Sequence, residues 1–127
     1  MNELWGTLHC GANPGGPCHE TDGLSGSRQC PGTPCQGNFH TYTFEVDRTQ
    51  QLEAIRWFVD GILFWQVIST DIPAATWAQA VHNPHFVLFN LAIGGSFPNN
   101  VYGSATPLST TTSGGVLEAD YIAVYNS

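Results

Sequence analysis

The chain has 127 residues, ten acidic and three basic, for a formal net charge of -7. Arg28, Arg48 and Arg56 are the basic residues and there is no lysine, so a phosphate backbone finds no clustered cations and nucleic-acid binding is excluded. An anionic membrane surface would repel such a chain. A content of 42% hydrophobic and 12% aromatic residues excludes disorder. The polarity comes from uncharged Thr, Ser, Asn and Gly, which suits a neutral polar ligand such as a sugar.

Glu3 to Cys10 opens the chain as a strand, with Leu4, Gly6, Leu8 and Cys10 on one parity and Trp5, Thr7 and His9 on the other. Gly11 to Asn38 is rich in glycine and proline, lacks periodicity and reads as a loop, long for a compact domain. The four cysteines, Cys10, Cys18, Cys30 and Cys35, fall at or within it. Their gaps do not repeat as zinc-site pairs do, so two disulfides of an extracellular protein are expected, with three connectivities open. Crosslinks of this kind make a long loop tolerable.

Phe39 to Asp47 alternates, with Tyr42, Phe44 and Val46 sharing one face, a period of two. Leu52 to Val59 and Ile62 to Ser69 flank Asp60-Gly61, a strong hairpin signal because both turn positions favour positive φ. A short helical turn is expected within Ala74 to Val81. Phe86 to Ile93 reads as a buried strand, Gly94 to Gly115 as a loop and Val116 to Tyr125 as a closing strand. Six strands and little helix make the chain all-β, an antiparallel sandwich or barrel.

The start, Met1-Asn2-Glu3-Leu4-Trp5-Gly6, does not read as a secretion signal, which points to a processed product or a piece of a longer chain. Two carboxylate pairs of the E-x-D kind occur, Glu20/Asp22 and Glu118/Asp120. Retaining sugar hydrolysis needs two carboxyl groups about 5–5.5 Å apart, and neither pair is followed by a third carboxylate. They are expected to be ordinary loop and strand-edge acids. Of the histidines, His9 stands out because it follows a strand and opens the loop; the other four are expected on the surface. Trp57 and Trp65 are expected in sheet packing. Trp5 and Trp77 remain candidates for stacking on a sugar face. Asn90, amid Phe86 to Ile93, would be costly to bury unless hydrogen-bonded or facing a cleft.

FHTYTFEVD (39–47), WFVDG (57–61), FVLFNLAIGGSFP (86–98) and LEADYIAVY (117–125) together resemble the C-terminal half of glycoside hydrolase family 16. WGTLHCG (5–11) with the Gly-Gly-Pro-Cys loop looks like its secreted fungal branch acting on β-1,3 and mixed-linkage glucans. The resemblance spans nearly the whole chain, 1–127, as one partial domain: a disulfide-rich loop at 11–38 and strands over 39–127. It implies half of a jelly-roll β-sandwich with a concave glucan cleft. The family's E-x-D-x-x-E strand would precede Met1, so no catalytic residue is assigned here. By resemblance His9, Asn90 and Phe97 would bind substrate. Asp120 would ligate a structural calcium whose other ligands lie outside this chain, and no cofactor is required. The expected partner is a β-glucan, with a missing N-terminal half or a second copy as further partners, in a secreted setting. The alternatives are a non-catalytic β-glucan-binding module or a fragment without independent function, prone to aggregate through unpaired strand edges.

Overall fold

The computed structural model describes residues 2–126. It divides into two compact units, Met1–Pro84 and His85–Ser127.

In the first unit, β1 (Leu4–Leu8) pairs antiparallel with β2 (Leu24–Arg28). A second antiparallel sheet has the order β3 (Tyr42–Asp47), β4 (Ala54–Val59), β5 (Ile62–Ile68). The β4–β5 hairpin closes on Asp60-Gly61, both at positive φ, as the sequence requires of a two-residue turn. The two sheets stack through two glycines. A Cβ on Gly6 would lie 2.7 Å from Trp57 Cγ, and one on Gly26 2.4 Å from the Trp65 ring. Gly6 and Gly26 are cross-strand partners, and so are Trp57 and Trp65. One sheet thus offers bare backbone where the other offers indoles, and the rings fill the space between layers. This confirms Trp57 and Trp65 as packing residues.

The buried core joins Cys18, Ile55, Val67, Ile72, Trp77 and Val81, with Leu8, Cys10, Leu24 and Val46 packed against it. Helix α1 (Ala74–Val81) supplies Trp77 and Val81 from one face. Trp77 therefore serves the core, and its indole N–H donates to Glu53 Oε2 at 2.6 Å. His82 Nε2 lies 2.7 Å from the same oxygen. These bonds, that of His82 first, hold the Glu53 carboxyl below its ordinary pKa.

Disulfides join Cys10 to Cys18 and Cys30 to Cys35, resolving the connectivity that the spacing left open. The expected loop over 11–38 is corrected in one respect: it contains β2. That strand, Leu-Ser-Gly-Ser-Arg, sets glycine at the position turned to the other sheet, so no apolar alternation marks it. The expectation of four surface histidines is corrected at His40, whose side chain is only 2% exposed. Its Nδ1 lies 2.7 Å from Asp60 Oδ2 and its Nε2 3.1 Å from the Pro34 carbonyl. The Asp60 carboxylate and the Pro34 carbonyl are acceptors and favour protons on both ring nitrogens, while the Thr33 hydroxyl lies 3.4 Å from Nε2. The bond to Asp60, then that to Pro34, raises the His40 pKa. The same contact lowers that of Asp60, which also accepts the Thr41 N–H at 2.8 Å.

In the unit His85–Ser127 the expected strands at 86–93 and 116–125 do not form; both stretches lack a recorded ladder partner. A strand exists only by hydrogen bonding to a neighbour, and apolar sequence alone does not make one. Within the expected loop, α2 (Ser96–Tyr102) forms instead and ends at Gly103 with φ 74. Asn99 Oδ1 ties it to the next turn by accepting the Thr106 N–H and hydroxyl at 2.6 and 2.7 Å.

Candidate functional site

The alternation along β1 sorts its side chains. Gly6 turns to the Trp57 ring, so Trp5, Thr7 and His9 share the opposite, outer side. The register with β2 adds Ser27 across from Trp5 and Ser25 across from Thr7. This outer face is one indole, two serines, a threonine, a histidine and Glu3, with no lysine or arginine. Thr7 Oγ1 and Ser25 Oγ hydrogen-bond at 3.2 Å, and the Ser27 hydroxyl donates to Glu3 Oε1 at 2.6 Å. Trp5 is 40% exposed.

His9 is held in place by the loop that follows it. The Cys10–Cys18 crosslink turns the chain back, and Glu20 reaches His9 Nδ1 at 2.9 Å while its other oxygen accepts the Cys10 N–H at 2.8 Å. The His9 bond is the main cause of a lowered Glu20 pKa. An ionised carboxylate at Nδ1 requires the proton there, which leaves Nε2 as the nitrogen for a ligand. The His9 side chain is 59% exposed against 9% for Glu20. Gly23 makes the closure possible: a Cβ there would sit 2.4 Å from the Thr7 methyl and 3.0 Å from the His9 ring. Both Glu20 oxygens are thus engaged in positioning β1 and His9. The sequence pattern singled out His9 but missed its brace, because Glu20 lies eleven residues away along the chain.

The remaining sequence candidates lie in the other unit. Asn90 is exposed, within the 86–93 stretch, and Phe97 is 54% exposed on α2. Asp120 is exposed within the 116–125 stretch. Among the described residues no group of three or more His, Cys, Asp or Glu side chains is arranged to hold a metal ion. One carboxylate is far short of the six to eight oxygens that calcium takes, so the residues present do not by themselves fit that ion.

No family model matches the chain. Its fold is similar to the crystal structure of an endo-1,3-β-glucanase from Streptomyces sioyaensis, with a TM-score of 0.82 and 46% sequence identity. The match covers 88% of this chain and 40% of that one. A glucan endo-1,3-β-glucosidase A1 of Niallia circulans is 28% identical over 126 residues, 94% of this chain and 16% of that protein. The chain thus spans less than half the length of either. Over nearly its whole length it is similar to β-1,3-glucanases, in agreement with the resemblance to glycoside hydrolase family 16 and to its jelly-roll sandwich.

Proposed function

We propose that this chain is a β-glucan-binding part of a β-1,3-glucan endo-hydrolase domain and that it binds glucan through the outer face of β1. The observation that carries the reading is the Trp5–Thr7–His9 row, with His9 braced by Glu20, in a chain 46% identical to a solved endo-1,3-β-glucanase. An exposed indole offers a flat apolar surface to a sugar ring, and the hydroxyls beside it offer hydrogen bonds. His9 Nε2 gives a directional contact at the end of the row. Asn90 and Phe97 join this reading as further sugar contacts.

The chain's own residues bind and orient. Glu20 is committed to His9 and Cys10, so the two carboxyl groups of a retaining hydrolysis come from another part of such a domain. No step of the reading uses calcium. The two disulfides suit an oxidising, extracellular setting.

The test has two arms. Pull-down on insoluble β-1,3-glucan should retain the chain, and Trp5→Ala and His9→Ala should each lower retention severalfold. Asn90→Ala and Phe97→Ala test the second unit in the same assay. Laminarin hydrolysis should be absent for the chain alone and appear on refolding with a polypeptide that carries the rest of a glucanase domain. Retention no better than that of an unrelated acidic protein would end the binding reading. Hydrolysis by the chain alone would overturn the assignment of roles.

A further inference from the structure

We propose that Glu3 contacts the sugar at the opposite end of the β1 row from His9, and that through it this face selects neutral polysaccharides over anionic ones. This rests on the function proposed above and concerns the specificity of that same face. Glu3 immediately precedes β1, and its Oε1 accepts the Ser27 hydroxyl at 2.6 Å. Ser27 stands across from Trp5 in the register, so the bond holds the carboxylate on the side of Trp5, Thr7 and His9. Glu3 is exposed. Among the described residues it forms no other hydrogen bond and no ion pair. Its Oε2 is therefore an acceptor without a protein donor.

The chemistry of that oxygen sets what it can take. An ionised carboxylate only accepts hydrogen bonds, and bonds to an ionised acceptor are roughly twice as strong as neutral ones. The hydroxyls of a neutral sugar supply the donors. A sugar carboxylate or sulfate supplies none at that group and adds a like charge. The rest of the face offers no compensation. Arg28 pairs with Leu4 and so shares the parity of Gly6 and Gly26, away from the row. At the other end Glu20 places a second carboxylate on His9 Nδ1 at 2.9 Å. Its bond requires the proton on that nitrogen, so the neutral ring also accepts at Nε2. Both ends of the row thus ask for hydroxyl donors and repel anions, and an uncompensated charge is an effective way to reject a wrong partner.

The experiment titrates the full chain with laminarin and with carboxymethyl-laminarin by calorimetry, at low and at high salt. The chain should bind laminarin severalfold more tightly at low salt, and high salt should narrow the gap by screening. Glu3→Gln keeps an acceptor for Ser27 and removes the charge. It should weaken laminarin binding severalfold and narrow the low-salt gap, with near-ultraviolet circular dichroism unchanged. Glu3→Lys should narrow the gap further. Glu118→Gln, the same change of charge in the other unit, should leave it as it was. A gap of the same size in Glu3→Gln, whether because both affinities hold or because both fall equally, overturns selection by Glu3. Narrowing of equal size in Glu118→Gln overturns it too, since net charge would then be the cause. A chain that binds neither polymer fails earlier, at the glucan-binding reading itself.

Discussion

Gly26 is among the residues with least freedom in the first unit, together with Gly23. Any side chain at Gly26 meets the Trp65 ring, with a Cβ only 2.4 Å away. Overpacking of this kind costs about 1–3 kcal/mol, so Gly26→Ala should lower the urea midpoint accordingly. Trp65→Phe should recover part of that loss in the double variant, since the two share one contact. Additive losses in the urea melts would show that the contact does not couple them. At the proposed glucan face the sensitive residue is Glu20. Glu20→Gln removes the ionised acceptor from His9 Nδ1, and affinity electrophoresis in laminarin gels should show severalfold weaker retention. Unchanged mobility would mean that His9 needs no brace.

Elements are joined in this unit by polar clasps as well as by packing. His40, at the entrance to β3, binds the β4–β5 turn through Asp60 and the Cys30–Cys35 loop through Pro34. The pH dependence follows from the two shifts. The raised His40 pKa contributes stability that is full below the ordinary histidine value of 6.5 and is lost as pH rises through the folded-state value. The lowered Asp60 pKa contributes stability present above the ordinary 3.8 and lost as pH falls through its folded value. The clasp is therefore strongest between those two ordinary values. Thermal melts should peak in that window, and His40→Asn should flatten the alkaline limb while the acid limb keeps the contributions of Glu20 and Glu53. An alkaline limb unchanged by the substitution would sink the clasp. The β3–β5 hairpins were legible because their apolar residues alternate and Asp60-Gly61 marks the turn. β2 was not, because its inward position is Gly26, so packing there removes the hydrophobic signal. The His40 clasp was hidden for another reason: its partner lies twenty residues away, and no local spacing encodes such a contact.

At the scale of the whole molecule the two units differ in what holds them. Met1–Pro84 contains the buried core and both disulfides. No described residue from 85 to 126 is buried, and segments with few buried apolar contacts open at low free-energy cost. Trypsin cannot test this, since the last arginine is Arg56. Thermolysin, which cuts before large apolar residues, should remove the stretch beyond Pro84 first and leave a resistant core ending near α1. Cleavage within β4 or β5 at the same rate would contradict it. The sequence signalled 86–93 and 116–125 as strands because their residues are apolar, while pairing depends on a neighbour that sequence periodicity does not supply. His9, Asn90 and Phe97 are proposed sugar contacts alike; what the structure adds at His9 is its bond to Glu20, which local spacing did not signal because the partner lies eleven residues away. The glycine-on-indole stacking has an optical consequence. Trp57 and Trp65 are direct cross-strand partners on one face, and each ring rests on a glycine of the other sheet. Their near-ultraviolet dichroism, which fixed packing of the rings sustains, is a label-free gauge of whether the sandwich is closed.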